Sequence, residues 1–449
     1  MKYFGTDGIR GEVGKVPIDA EFFERLAHAI EKFFLQKYKK KDLTVCLGMD
    51  TRKSGIALRK ALLRGFSSGT KVLDCKILPT PAISGATIWT KSDAGIMITA
   101  SHNPSSDNGI KIFNARGEKL SAEEEEEIER IIDSGADLPL RSAAAVDFHR
   151  QAQRNYCSKY ENFLPNGALS GKTIVVDSAN GATSAVAKKI FESLGLNVIQ
   201  IGNRPNGKNI NDGCGSEHPG NLANFMKNSG AFAGIAFDGD GDRVVIFDET
   251  GEKISGDVLI GRIAIHMAKA GNLPNETIVT TIQSNMGLDR YLKSNGIDVI
   301  RCDVGDRNVY QAMLKNNCPF GGENSGHLIF SKFSPIGDGI TAALHVLLIA
   351  VEGNINLSKL KTNIALFHQK SFNISVREEI SLSGFKDDAA KAQSAMSPDS
   401  RILVRHSGTE SKVRVLVESP FLKEVEHAWE KLEQSMLERA NEDATISSF

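Results

Sequence analysis

Short apolar runs that end in loops of glycine, serine and aspartate recur along this chain, and amphipathic helical patterns follow most of them. "DLTVCLGMDTR" leads into "GIALRKALLRGFSSG", "KTIVVDSANGATS" into "AVAKKIFESLG", and "ETIVTTIQSN" into "MGLDRYLKSNG". Strands alternating with helices predict parallel or mixed sheets with helices packed on them. Ligands of such sheets bind at the loops beyond the C-terminal ends of the strands. "AGIAFDGDGDR" departs from the alternation, because a second apolar run, "VVIFDE", follows its loop directly. The segments share a layout without a strong residue-level repeat. "GITAALHVLLIAVEG" is the most apolar stretch; His345 interrupts it and it is too short to span a bilayer, so it reads as a buried helix.

Punctuation within the pattern suggests units. In "SAEEEEEIERIIDSG", Ser121 and Glu124 form a capping box and the acidic first turn suits the helix dipole, with the glutamates expected on a solvated face. The polar, alanine-rich stretch from Ser134 to about Arg154 reads as the end of a first domain and a linker. "GEKISGD" and the segment near Gln369 are further junctions. The expected units are 1–150, 151–255, 256–368 and 369–449.

At 449 residues the chain has the length of several domains, and 41% hydrophobic with 24% charged residues supplies several cores. A formal net charge of -1 argues against nucleic acid or an anionic membrane as the main partner. The six cysteines are scattered without a Cys-x-x-Cys pair, as free thiols of a reducing cytoplasm would be, and "MKYFGTDGIRGEVG" has no apolar signal-peptide core.

Four loops carry candidate chemistry. In "FDGDGDRVVIF", Asp238, Asp240 and Asp242 alternate with glycines, so that their oxygens can converge on one hard cation. An EF-hand loop is a poor rival, because Arg243 stands where that loop needs glycine and the flanks read as strands. "NGALSGKTIVVD" resembles a phosphate loop but precedes its strand and has one residue too few between its glycines. "GIMITASHNPSSDNGIKIF" delivers Ser101 into a polar loop; His102 is its neighbour, which places the two poorly as a nucleophile and base. A hydroxyl there suits a phosphoryl carrier whose oxygens a metal ion neutralises. "PFGGENSGHLIF" offers Glu323 and Ser325 for vicinal sugar hydroxyls, and His327 for hydrogen bonding or proton transfer. "RILVRHSGTESKVRVLVE" gathers Arg405, Ser407, Gly408 and Thr409 on one loop, a set that suits a phosphate dianion.

Taken in order and spacing, "TASHNP", "DGDGDR", "GENSGH" and "RHSGTES" resemble the phosphoserine, metal, sugar and phosphate loops of the α-D-phosphohexomutase superfamily, over nearly the whole chain. "MKYFGTDGIRG" and the double glycine of "GGENSGH" are closer to its glucosamine-phosphate branch than to the glucose- or mannose-phosphate branches. The resemblance implies an α/β protein of four domains around a central cleft, three similar ones with mixed sheets and a smaller, different C-terminal α+β domain.

It also implies an isomerase that interconverts glucosamine 6-phosphate and glucosamine 1-phosphate through a 1,6-bisphosphate, towards UDP-N-acetylglucosamine and the cell wall. One Mg2+ per site would be bound by Asp238, Asp240, Asp242 and the phosphate of Ser101. Glu323 and Ser325 would hold the sugar, and Arg405, Ser407, Gly408 and Thr409 the non-reacting phosphate. Arg10, Lys111, Arg243 and His327 match positions near the reacting group, and "DVGDR", with Arg307, another cleft segment. A cytoplasmic monomer or homodimer acting on a small sugar phosphate is expected. A glucose- or mannose-phosphate mutase, a phosphosugar phosphatase and a silent sugar-phosphate binder are the alternatives. Asn324, His406, Ser411 and Ser106 depart from the usual family residues without removing a ligand.

Overall fold

The computed structural model describes residues 2–135, 142–375, 381–406, 412–439 and 446–448, with side chains as far as residue 436. Two compact units are present, one formed by residues 1–282 with 299–362 and the other by 283–298 with 363–449.

The first unit holds three mixed sheets. The first has six strands, β1 (Ile9–Glu12), β2 (Thr44–Met49), β3 (Lys71–Ile77), β4 (Ala94–Ile98), β5 (Asp107–Asn114) and β6 (Ala145–Asp147), in the order β1-β5-β4-β2-β3-β6. Strands β4, β2, β3 and β6 run parallel, whereas β5 is antiparallel to β4 and to β1. The second sheet contains β7 (Thr173–Asp177), β8 (Asn197–Ile201), β9 (Ala233–Phe237), β10 (Val244–Phe247) and β11 (Lys253–Ile254), in the order β11-β10-β9-β7-β8. The third contains β12 (Thr277–Thr281), β13 (Asp298–Cys302), β14 (Phe320–Gly322) and β15 (Leu328–Phe330), in the order β13-β12-β14-β15.

A repeat invisible in the residues emerges here. In each sheet a parallel core strand carries an antiparallel partner that follows it in sequence: β4 with β5, β9 with β10, β14 with β15. The turns of these three pairs are the serine loop, the aspartate loop and the "GENSGH" loop. The second unit has an antiparallel sheet, β16 (His368–Ser375), β17 (Arg401–His406), β18 (Lys412–Ser419) and β19 (Ile446–Ser448), in the order β17-β18-β16-β19. Its β17–β18 pair flanks the "HSGTES" loop in the same way.

The main core of the first sheet lies beneath the helices Ala20–Tyr38, Gly55–Gly65 and Ala122–Asp133, with Phe22, Phe23, Leu26, Val45, Leu47 and Ile96 among its buried residues. "GITAALHVLLIAVE" is a helix, Gly339–Glu352, buried along most of its length, as its composition predicts. No helix among the described residues is long and apolar enough to cross a membrane.

The stretch read as the end of a first domain and a linker contributes, in its described residues, β6, which extends the sheet at β3, and the helix His149–Ser158, which packs on β3 and on the helix Thr80–Trp89. One expectation is corrected. The capping box of Ser121 and Glu124 is present, but two glutamates of the run are buried. Glu129 accepts the backbone N–H groups of Lys2, Tyr3 and Phe4 at 2.8, 2.7 and 2.8 Å, and Glu125 pairs with Arg307. Burial of a carboxylate demands such partners. These partners stand more than a hundred residues away, so the run alone cannot announce them.

Candidate active site

Ser101 follows β4 with its backbone in the left-handed region, φ 52°, which is uncommon for a residue with a Cβ. The strain, of order 1–3 kcal/mol, is held by fixed partners. Its N–H donates to Thr99 Oγ1 at 2.9 Å, and its carbonyl accepts from Asn211 Nδ2 at 2.9 Å and from Arg52 Nη2 at 3.2 Å. Arg52 is fully buried with Asp50, 2.9 Å from it, and also donates to the carbonyls of Asn103 at 2.7 Å, Asp107 at 3.0 Å and Pro104. One guanidinium therefore ties the serine loop to the end of β2.

So presented, the fully buried Ser101 donates its hydroxyl proton to Asp238 Oδ2 at 2.7 Å. Asp238 Oδ1 accepts from the backbone of Gly241 at 3.0 Å and of Arg243 at 3.2 Å. The two loops meet at main-chain distance, since a Cβ at Gly239 would lie 2.5 Å from the Ser101 carbonyl oxygen. Further backbone bonds lock the aspartate loop: Thr80 N donates to Asp240 O at 2.9 Å, Gly339 N to Gly241 O at 3.1 Å, and Val244 N to Gly326 O at 3.1 Å. Gly326, with φ 91°, sits where any side chain would strike the Val244 carbonyl.

Asp238, Asp240 and Asp242 present carboxylate oxygens within 4.8 Å of one another, all buried. Burial, then repulsion from Asp242 and Asp240, pushes the Asp238 carboxyl well above the usual range. Asp240 Oδ1 and Asp242 Oδ1 have no hydrogen-bond partner among the described residues. Converging hard oxygens, mutual repulsion and unspent lone pairs all fit a divalent cation.

Lys111, on β5, is buried against the same cluster, 2.7 Å from Asp242, 2.9 Å from Asp240 and 3.1 Å from Asp7. Burial alone would lower its pKa; Asp240, Asp242 and Asp7 raise it well above the ordinary value. His327 Nδ1 lies 3.6 Å from Asp242 Oδ1, and Nε2 lies 3.1 Å from both Asp306 Oδ2 and the Gly337 N–H. Burial opposes its charge, but Asp306 and Asp242 raise its pKa to about 10, so Nε2 donates to Asp306 in preference to accepting from Gly337. His102 Nδ1 stands 3.4 Å from Ser101 Oγ; burial, with Arg243 and Arg10, lowers its pKa to about 3 and keeps it neutral.

The remaining expected residues fall as follows. Arg10 pairs with Asp7 and reaches the Ala100 carbonyl and Asn103 Oδ1, each at 3.4 Å. Arg243 is partly buried; burial is outweighed by Asp242, Asp238, Glu323 and Glu217, which hold its charge firmly. Glu323, buried at the hairpin turn, accepts the Gly305 N–H at 3.0 Å, while Ser325 is exposed on the same turn. Arg307 pairs with Glu125. Arg405 lies on β17, one residue before its end, in the second unit; Ser407, Gly408 and Thr409 lie outside the described residues.

Sequence reasoning passed over Asp7, Asp50, Arg52, Lys119, Asn211 and Asp306. Lys119 bridges Asp7 and Asp306. A signal existed for some: Asp50 and Arg52 follow β2 at its C-terminal end, and Asp7 sits in the quoted "GTDGIRG". Asp338, which caps the helix Gly339–Glu352, was also passed over; it gathers Tyr156 at 3.1 Å, Lys159 at 2.9 Å and Tyr160 at 2.5 Å.

Three hairpin turns converging in one unit, and an antiparallel strand pair in the sheet of the other, define the phosphohexomutase class of fold. The chain belongs to the phosphoglucomutase/phosphomannomutase family: models of its α/β/α domains I, II and III match residues 1–138, 154–251 and 255–366, and its C-terminal domain matches 373–433. A phosphoglucosamine mutase of Ligilactobacillus salivarius is 39% identical over 427 residues, covering 93% of this chain and 94% of its own. The crystal structure of a phosphoglucomutase/phosphomannomutase family protein from Burkholderia thailandensis matches with a TM-score of 0.83 at 22% identity, over 99% of this chain and 98% of its own. N-acetylphosphoglucosamine mutase of Aspergillus fumigatus, solved in complex with GlcNAc-6P and magnesium, matches with a TM-score of 0.69 at 17% identity, over 98% and 96%. At those identities the two structures speak to the fold alone.

Proposed function

We propose that the chain interconverts glucosamine 6-phosphate and glucosamine 1-phosphate, with Ser101 as the phosphoryl carrier. The observation that carries the reading is the Ser101 Oγ–Asp238 contact of 2.7 Å beside two carboxylate oxygens without a hydrogen-bond partner among the described residues. Mg2+, one per site, would be held by Asp238, Asp240, Asp242 and the Ser101 phosphate, and when bound it supplies positive charge to the transferring oxygens. The free O1 or O6 of the sugar monophosphate attacks phosphorus as the Ser101 Oγ–P bond breaks; Lys111 or His327, both protonated at rest, gives a proton to the departing Ser101 oxygen and takes the attacking hydroxyl's proton in return. Arg10 and Arg243 contribute charge around the transferring group. The 1,6-bisphosphate reorients and returns its other phosphate to Ser101, which restores the carrier.

In this reading Glu323 and Ser325 hold the sugar hydroxyls in both orientations, Arg307 lines the substrate's surroundings, and Arg405, Ser407, Gly408 and Thr409 bind the phosphate that does not react. The domains are 1–150, 151–255, 256–368 and 369–449, and the protein acts in the cytoplasm as a monomer or homodimer, its six cysteines unpaired.

The test is a coupled assay with glucosamine, glucose and mannose phosphates and a 1,6-bisphosphate primer, alongside intact mass. A fraction of chains phosphorylated at Ser101 and turnover fastest with the glucosamine phosphates are expected. Ser101→Ala should lose more than ~10^3-fold in turnover while keeping sugar-phosphate binding. Near-normal turnover in that variant, or release of inorganic phosphate in place of isomerisation, overturns the reading.

A further inference from the structure

Apart from the hairpin turns, the first unit has a half-open cavity of about 350 Å³ whose lining includes Phe163, Phe330, Phe333, Leu348, His345 and Lys332. Part of its wall is an aromatic cluster packed around His345. The His345 ring stacks on Phe330 with centroids 4.1 Å apart and planes 7° apart. Phe163 meets it edge-on at 5.0 Å, and Phe333 at 5.8 Å. His345 is only 9% exposed, and neither of its ring nitrogens has a hydrogen-bond partner among the described residues.

That second fact is the unusual one. Buried polar side-chain atoms are nearly always hydrogen-bonded, and leaving one unpaired costs ~1–3 kcal/mol. Burial, aided by the charge of His266, lowers the His345 pKa to about 3, so the ring is neutral and offers one donor and one acceptor. An apolar cavity of about 150 Å³ already accepts benzene, so this one has room for a ring with substituents. Ligand pockets combine this size range with aromatic walls and a few placed polar groups. Lys332 is exposed and forms no ion pair among the described residues, which leaves a cation at the rim.

We propose that this cavity is a second ligand site, which takes a small planar aromatic molecule bearing a hydroxyl and a carboxylate. The ring lies in the cavity against its Phe163, Phe330, Phe333 and Leu348 lining, the hydroxyl bonds a His345 nitrogen, and the carboxylate faces Lys332. None of these residues belongs to the serine, aspartate or sugar-loop machinery, so the site stands whether or not the mutase reading holds.

The probe is 4-hydroxybenzoate, titrated calorimetrically into the full-length protein and followed by the ring signals of 15N-histidine-labelled chains. Saturable one-site binding that shifts the His345 signals is expected. Benzoate, which lacks the hydroxyl, should bind about tenfold more weakly, the loss of one hydrogen bond. Lys332→Met should weaken 4-hydroxybenzoate and benzoate alike, and His345→Phe should abolish the difference between the two probes. Because Lys332 is exposed, its variant and the probe comparison remain informative if His345→Phe does not fold. Absence of saturation up to the solubility limit overturns the proposal, because the cavity then holds water only. Binding that leaves the His345 signals unmoved, or benzoate binding as tightly as 4-hydroxybenzoate, overturns it as well.

Discussion

Arg52 and Lys111 are both buried cations of the first sheet, and they spend their charge differently. Arg52 faces one carboxylate, Asp50, and directs its other donors to four carbonyls of residues 101–107. Its hydrogen-bonding capacity is used up on main chain. Lys111 faces three carboxylates, two from the aspartate loop and one from the N-terminal segment, while one oxygen each of Asp240 and Asp242 has no hydrogen-bond partner among the described residues. The first arrangement is closed; the second has negative charge to spare. A closed node fixes geometry, whereas an open one attracts a further cation and a reacting group.

The contrast can be broken most severely at Lys111. Lys111→Met should lower turnover by ~10^2–10^4-fold, while its melting temperature is largely restored by saturating Mg2+, which replaces the missing charge. Arg52→Met should behave in the opposite manner. It strands Asp50 and the loop carbonyls, costs ~3–5 kcal/mol of stability, and should show no recovery with Mg2+ in thermal unfolding. If Mg2+ rescues both variants equally, the distinction between the nodes fails.

A smaller effect separates them by pH. Burial would raise the Asp7 pKa, but Lys111, Lys119 and Arg10 hold it well below the ordinary 3.8. A depressed carboxylate contributes stability that is present above the unfolded pKa and is lost as pH falls through the folded one. Urea unfolding of Asp7→Asn should therefore show a shallower loss of stability below about pH 4, and Arg52→Met should keep the parent's slope. The smallest effect is expected at Tyr160→Phe. Removing one of the hydroxyls on Asp338 should cost ~1 kcal/mol, leave Mg2+ affinity unchanged, and be visible only in the denaturation midpoint.

The same contrast explains what the sequence disclosed. The aspartate loop was legible because three carboxylates stand between two apolar runs, and β9 and β10 begin and end where those runs do. Ser101 and Lys111 were legible from the loop that joins their strands. Arg52 was not, because "DTR" reads as an ordinary turn until residues 101–107 fold against it. Asn211, and Asp338 beyond its helix cap, likewise acquire their roles from partners more than a hundred residues away. The glutamates at 125 and 129 were misread for the same reason: periodicity reports which face of a helix is polar, not which distant cation or amide will cover it. The repeat of hairpin turns escaped notice because it resides in strand direction, which side chains do not encode directly.

Arg52 and Asn211 together have a consequence for how the reaction proceeds in time. They clamp the serine loop from two sides, one from the end of β2 and the other from the second sheet's side of the cluster. In the proposed cycle the donor oxygen is thus a stationary tool, already set before any sugar arrives. Whatever turns between the two halves of a mutase cycle must be the workpiece, so the slow motion to look for belongs to the bound intermediate and its holders, not to the serine.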